Sequence, residues 1–577
     1  MYKICLFILF IAVSAFSQNC IEVIYPKDGQ FIADVDSTFI FGNTNPKTNL
    51  VINGFEIDVH EDGGFLAFLP VSKGEHKFNL VSSYDEYICD TSINILVGVK
   101  PEISNSDINF STIKPSGRTM LMDDDILEFS LMAKSQGKVF CAFEHDTTWT
   151  QMYSENPADL NDEHVLFTGY LSIANINDSS RVFFLFEQDV IDINNRTLWQ
   201  NYNIDSTDYY VVMLPKLPFR VISLIGRPHI IRTAPGKGYK LVNQPAGIRM
   251  QYIGETPYWY RVKLANNIYG FVKKTDAILE PENTLLPSGE VSSIVADDSL
   301  KTVQISMKIG DQLPFEIHTN GNLMTIDIYG LNSDTDWIKQ NGTQEFIKSI
   351  YWTQPQNGVY RLHIRWYDEH FWGYRAFYEN DDFILILKKK PFKKAFMKGL
   401  KIAIDPGHSH DLGAVGPTGL TEKDANLWIA HELRQLLLKN GAKVMMTRMG
   451  HEHLGIYDRV DLATKWESDL LISIHNNALP DGVNPFNHNG TSCYYYFDQA
   501  KPLAEAIHKH LLNYTKLPDH GLNYGNLALC RVTDCPAVLV ECAFMMIPEQ
   551  EAMLKTDKFQ RKCAKAIYKG IRDYLKE

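Results

Sequence analysis

Positive charge, cysteine and long apolar runs are all scarce in this sequence, and each shortage closes off a class of function. Lys and Arg number 56 against 69 Asp and Glu in 577 residues, a net charge of −13. A nucleic-acid binder usually carries a basic excess, so no nucleic-acid partner is expected. The nine cysteines include no second pair beside Cys530 and Cys535, which leaves those two a poor structural-zinc signal. Beyond the first residues, no segment holds the ~18 uninterrupted apolar residues of a membrane helix. What is present is ordinary for globular protein, with 45% hydrophobic and 22% charged residues. The length exceeds a single core and suggests about three to five domains.

The one apolar run stands at the start, in MYKICLFILFIAVSAFSQNC. Lys3 is a minimal basic region, Ile4 to Val13 an apolar core, and Ala15-Phe16-Ser17 a small-x-small cleavage site. Residues 1–17 read as a secretory signal peptide, too short for a comfortable span, with a residual anchor as the alternative. Cys20 lacks the residues that usually precede a lipidated cysteine. The mature chain is expected to be exported, to the periplasm or the cell envelope surface, with no membrane span. Export permits oxidation. Cys20 with Cys89, and Cys530 with Cys535, are candidate pairs, buried free thiols being the alternative.

Most of the chain then alternates apolar and polar residues over short runs, which is strand periodicity. Residues 18–97 include Thr38 to Gly42, Asn49 to Ile52 and Phe65 to Phe68, with an Asn53-Gly54 hairpin signal. They predict a small β-sandwich that resembles the immunoglobulin-like modules of secreted bacterial proteins, with a spacing or binding role. Residues 98–217 read as a second β domain without chemistry. Residues 218–281, with Ile231 to Pro235, Ala246 to Gly254, Tyr258 to Leu264 and Tyr269 to Val272, resemble a bacterial SH3-like barrel. Its Trp259 and Tyr260 either line a groove for peptide or glycan or fill the barrel core. Residues 288–392 predict an antiparallel β domain, placed where some hydrolases carry a localisation module. The basic run Lys388 to Lys394 reads as a solvated linker or as an attraction to anionic wall polymer.

From Lys401 the pattern becomes strand, loop, helix. Lys401 to Ile404, Lys443 to Thr447, Leu470 to Ile474 and Ala537 to Val540 are apolar strands. Thr421-Glu-Lys-Asp424 opens a helix with capping chemistry. Its apolar positions Leu427, Ala430, Leu433 and Leu437 recur at helical spacing until Asn440-Gly441. Pro502 to Leu512 and Phe559 to Leu575 read as amphipathic helices. The fold class expected is multidomain: several all-β modules, then an α/β domain with a mostly parallel sheet covered by helices on both faces. In such a sheet the carboxyl ends of the strands share one crevice. His408 follows one strand end, His475 and Glu541 terminate two others, and Glu422 starts a returning helix. Two imidazoles and one carboxylate are a ligand set for catalytic zinc, and a further carboxylate serves as general base. Spacing alone leaves open which glutamate is ligand and which is base.

Residues 399–575 resemble the zinc-dependent N-acetylmuramoyl-L-alanine amidases of bacterial cell walls. The motifs that carry this are Asp405-Pro-Gly-His408, Glu422-Lys-Asp424, Ser473-Ile-His475 and Leu539-Val-Glu541, supported by Gly413-Ala414, Thr447-Arg448, Arg459 and Phe544 to Glu549. The resemblance implies that His408, Glu422 and His475 hold one Zn2+, that Glu541 is the catalytic carboxylate, and that peptidoglycan is the substrate. Whether a protein activator takes part is not written in the sequence. The chain departs from the family pattern at Ser409-His410, where two glycines are usual, and at Asn476, where alanine is common. Arg448, Arg459 and Asn476 are candidate substrate contacts, the arginines equally so as structural ion pairs. His410 reads as a loop residue or a substrate contact. His451, His453, His488, His508, His510 and His520 are taken as solvated, and Glu549 and Glu551 as helix-start residues.

Overall fold

The computed structural model describes residues 20–576 except 86, 99–106, 124, 145, 147, 155–163, 177–178, 192–197, 215–218, 344, 368–370 and 392–396. The signal-peptide reading of residues 1–17 lies outside the described residues. Among them, no helix is long and apolar enough to cross a membrane.

Residues 20–97 form two facing sheets of three and five strands around a core that includes Ile40, Ile52, Phe65 and Phe78. Apolar residues alternate inward along each strand, as a half-buried sheet requires. A Cys20–Cys89 disulfide ties the first strand to the last. The other candidate pair does not form: Cys530 and Cys535 are buried free thiols, and the Cys530 thiol donates to the Tyr494 carbonyl at 3.6 Å.

The next two β segments are joined in one 13-stranded sheet through strands Thr119–Leu121 and Arg249–Glu255. Residues 222–387 share a single apolar core, so the 218–281 and 288–392 segments are packed as one body. The latter is mostly antiparallel, with strands Gly289–Asp298 and Leu331–Gly342 paired in parallel. Tyr260 packs against the shared core, while Trp259 lies under the Arg232 guanidinium at 5.6 Å. Lys388 donates to the Ser468 carbonyl and Lys389 pairs with Asp298, so the described start of the basic run is anchored rather than solvated.

The C-terminal domain runs β1 (Lys401–Pro406), α1 (Glu422–Lys439), β2 (Lys443–Met446), α2 (Ile456–Lys465), β3 (Leu470–Asn477), β4 (Thr491–Tyr495), α3 (Lys501–Thr515), β5 (Asp519–Tyr524), β6 (Ala537–Phe544), α4 (Pro548–Leu554) and α5 (Asp557–Lys576). The sheet order is β2-β1-β3-β6-β4-β5. Strands β2, β1, β3 and β6 are parallel, and β4 is antiparallel to β6. Alternate residues serve opposite faces. Ile402, Ile404, Ile472, Ile474, Val538 and Val540 pack with α1, α3 and α5, while Ala403, Leu471 and Ala537 pack with Ala463 of α2 and the Leu529–Val532 turn. That double burial is why these strands read as unbroken apolar runs.

The β segments hold this domain at both ends. On the side where β3 and β6 begin, Trp372 Nε1 donates to the Asp469 carbonyl at 2.6 Å. There too, Arg375 Nη2 reaches Asp534 Oδ2 at 2.8 Å. On the side where the strands end, the 20–97 sandwich shares an apolar cluster with Phe544, Met546 and Ile547.

Candidate metal centre

The site is assembled just past the end of β1 and near the carboxyl ends of β3 and β6, which do not stop at His475 and Glu541 as expected but run on to Asn477 and Phe544. Strand β1 delivers Pro406, Gly407 and then His408, whose φ of +61° lies in the left-handed region, costly for a residue with a Cβ. Buried arginines hold it there. Arg459 donates to the carbonyls of Pro406 at 2.7 Å and His408 at 2.6 Å. Arg448 donates to Pro406 at 2.9 Å, Gly407 at 2.9 Å and Lys423 at 2.6 Å. Both side chains are enclosed, Arg448 at 1% and Arg459 at 4% exposure, and are engaged with backbone and, for Arg459, with the Asp405 carboxylate at 2.8 Å. Gly407 is needed for another reason: a Cβ there would collide with the His475 ring.

Glu422, the first residue of α1, lies between the two imidazoles. His408 Nε2 is 3.0 Å from Glu422 Oε2, and His475 Nδ1 is 2.8 Å from Oε1. The backbone N–H groups of Ala414 and Asn476 donate to the same carboxylate at 2.9 and 3.2 Å, as does Asn426 Nδ2 at 3.3 Å. Asn476 in turn donates its amide to Asn426 Oδ1 at 2.8 Å, so it is buried beneath Glu422 as a brace. Gly413, at φ +66°, makes room: a Cβ there would lie 2.5 Å from Glu422 Oε2 and 2.7 Å from His408 Cδ2.

Burial opposes charge on Glu422, but hydrogen bonds from both histidines outweigh it and hold the carboxyl well below the usual range. Burial likewise opposes charge on His475, and Glu422 reverses it, raising the imidazole to about 9. His408 is raised for the same reason. One donor atom from each of His408, Glu422 and His475 lies within 4.8 Å of the others. This N,N,O set of borderline and hard donors suits a divalent ion such as zinc. The Thr421 hydroxyl makes no backbone cap and donates to Asp424 Oδ2 instead, at 2.5 Å.

Glu541 is the register partner of His475 on the neighbouring strand. Its Oε2 is shielded from solvent and has no hydrogen-bond partner, an arrangement natural proteins seldom leave without a use. Burial pushes the carboxyl up to about 7, and the charge of Glu422 adds to the rise. A carboxyl with that affinity for protons, facing three candidate ligands, is suited to shuttling one.

Several neighbours had no clear signal in sequence. Asp411 Oδ1 pairs with His408 Nδ1. Ser492 on β4 is the cross-strand partner of Glu541, on a strand the periodicity did not reveal. Only the Asp-x-Gly-Ala spacing at 411–414 pointed toward the first of these. Glu551 lies in the first turn of α4, as expected, and is buried, accepting from the N–H groups of Thr418 and Leu420. His508 is also buried rather than solvated and reaches Asp519 at 2.8 Å. His410 stays at the surface, 4.5 Å from the His453 ring.

Residues 402–573 match the family model described as N-acetylmuramoyl-L-alanine amidase. The chain is similar to the probable cell wall amidase LytH of Staphylococcus epidermidis, with 34% identity over 182 residues covering 31% of this chain and 60% of that protein. LytH of Staphylococcus aureus is 33% identical over the same shares. The chain thus spans about 60% of the length of these curated relatives. Among solved structures, the N-acetylmuramoyl-L-alanine amidase of Clostridium difficile 630 is 31% identical over 31% of this chain and 98% of its own, at a TM-score of 0.30. The catalytic domain of CwlV, the N-acetylmuramoyl-L-alanine amidase of Bacillus (Paenibacillus) polymyxa var. colistinus, is 33% identical over 31% and 98%, at 0.29.

Proposed function

We propose, from the premise that residues 402–573 belong to the N-acetylmuramoyl-L-alanine amidase family, that the protein is an exported, zinc-dependent peptidoglycan hydrolase. The bond cleaved is the amide between the lactyl group of N-acetylmuramic acid and L-alanine. The observation that carries this reading is the convergence of His408, Glu422 and His475 beside a carboxyl raised by burial.

His408, Glu422 and His475 would hold the ion. When bound, a divalent cation there supplies Lewis acidity, which lowers the pKa of water and polarises a carbonyl. Glu541 removes a proton from the attacking water and returns it to the amine nitrogen as the carbon–nitrogen bond breaks. Its raised proton affinity matches both halves of that task. Asp411 fixes the His408 ring through Nδ1, and Asn476 and Asn426 fix the Glu422 carboxylate. Arg448 and Arg459 act on the backbone that carries His408. The β segments before residue 398 are read as immunoglobulin-like and SH3-like modules that support the domain and engage the wall.

Mass spectrometry of muropeptides from digested wall tests the bond assignment. A free lactyl carboxylate and a free L-alanine amine are expected, and both should vanish with a chelator. Products with the lactyl amide intact and a stem-peptide bond cut would overturn the substrate bond while leaving the metal site standing.

A further inference from the structure

The 20–97 sandwich touches the catalytic domain at the carboxyl ends of three central strands, and also just past α4, where Lys555 Nζ is 3.3 Å from Asp62 Oδ2. In the loop after β1, the Pro417 carbonyl accepts from Asn43 Nδ2 at 3.0 Å. Gly64 lies so close that a Cβ would sit 3.3 Å from Pro417 and 3.4 Å from Pro548. In the loop after β3, one oxygen of Asp481 accepts the hydroxyls of Tyr25 at 2.7 Å and Thr38 at 2.9 Å. At the end of β6 and in the segment after it, Phe544, Met546 and Ile547 are buried against Phe39, Phe41 and Leu66. These are the loops that follow His408, His475 and Glu541.

A spacer or a tethered wall-binding module needs no such contacts. Here the apolar cluster supplies the attraction, since buried apolar surface is its main source. The hydroxyl pair supplies the register. Thr38 is fully buried, so without Asp481 its hydroxyl loses its acceptor, a cost borne by the docked state. The Ala478–Gly490 stretch forms no helix or strand of its own, and such segments take their order from what they pack against.

We infer that the 20–97 sandwich is a working part of the active site, a clamp that sets the three loops around the metal centre, with Asp481 as its positioning residue. The activity readout of this inference rests on the amidase reading; the structural readout does not.

The test uses the full-length protein and three variants. Asp481→Ala removes both acceptor bonds. Tyr25→Phe removes one hydroxyl while keeping the ring against Phe39 and Phe41, at 5.2 and 5.8 Å between centroids. Asp481→Asn keeps an acceptor oxygen. Hydrogen exchange of residues 478–484 and 413–420 is followed, with kcat and KM on a soluble muropeptide. In Asp481→Ala, exchange of 478–484 should quicken about tenfold, the effect of losing hydrogen bonds to a charged acceptor, and kcat should fall by about the same factor. Tyr25→Phe should show a smaller change of the same kind, and Asp481→Asn should recover part of both. Unchanged exchange in Asp481→Ala, or faster exchange with unchanged kcat and KM, overturns the clamp. If the wild-type protein releases no lactyl product, the amidase reading fails, and the exchange result still decides whether the sandwich orders the loops.

Discussion

His475 and Glu541 are direct register partners on adjacent parallel strands. Paired residues of neighbouring strands lie about 4.8 Å apart and present their side chains on the same face. A candidate ligand and the candidate base are thus set side by side by backbone hydrogen bonding alone, before any side-chain choice. On the other side of β3, Ser473, two residues before His475, pairs with Asp405 of β1. His475 and Glu541 thus continue the sheet's own register, while His408 and Glu422 come from the loop after β1 and the start of α1.

Replacing Glu541 by glutamine keeps the shape and removes the proposed proton shuttle. Because Oε2 has no partner, no hydrogen bond is lost and the fold should be at least as stable. Turnover should fall by about 10²–10⁴-fold, the usual contribution of a general acid–base group, with metal content unchanged. Muropeptide release and metal analysis of the purified variant measure the two. Wild-type turnover would remove Glu541 from the chemistry.

The pH profile follows from the same carboxyl. Burial raises it to about 7, against the opposing charge of His475. A base works ionised, so the rate should rise with pH through the apparent pKa. A cation held by the neighbouring ligands favours the carboxylate, which sets the acid limb of kcat/KM at or below that value. A rate that climbs as the medium is acidified from about pH 8 to about pH 5 contradicts the role.

Asp411 offers a cleaner handle on the metal than the ligands do. It sits on His408 Nδ1 with its own side chain 49% exposed, so its removal should leave the fold intact. Partners of this kind typically contribute 10–100-fold to metal affinity. Asp411→Ala should weaken zinc affinity by about that range in a chelator competition, with an unchanged melting temperature. Equal affinity would show that the contact does not orient the ring.

These expectations also mark what was legible in sequence. Strands β1, β3 and β6 announced themselves because both faces are buried, and His408, His475 and Glu541 stood out where apolar runs broke. The direction in which a side chain turns was not legible. Arg448 and Arg459 read equally as substrate contacts or as structural ion pairs; Arg459 pairs with Asp405, and both donate to the Pro406 carbonyl. Cys530 and Cys535 read equally as a pair or as buried free thiols, and the structure has them as buried thiols. Strand β4 was missed because it is short and follows a loop rich in Asn, Pro and Gly. The merging of residues 222–387 into one core is a tertiary event with no periodicity of its own.

The buried pair Asp405 and Arg459 joins stability to the site. Asp405 is fully enclosed and accepts from Arg459 Nη1 at 2.8 Å, Thr447 at 2.6 Å and Ser473 at 2.8 Å. Burial alone would raise its pKa; the Arg459 charge and these hydrogen bonds overcome that and lower it. A depressed carboxyl adds stability that is fully present above its unfolded value of 3.8 and is lost as the pH falls below it. Arg459→Ala leaves a buried carboxylate uncompensated, at a cost of about 3–5 kcal/mol at neutral pH. With the guanidinium gone, burial governs Asp405 and the sign of its contribution reverses: the variant should gain more stability than the wild type on mild acidification, where the wild-type Asp405 adds no slope and both proteins share the gain from the raised Glu541 carboxyl. Urea unfolding at about pH 7 and about pH 5 distinguishes the two slopes. Since Arg459 also holds the His408 carbonyl, the variant should lose metal affinity even under conditions where it is folded. A folded variant with wild-type affinity would separate the two roles.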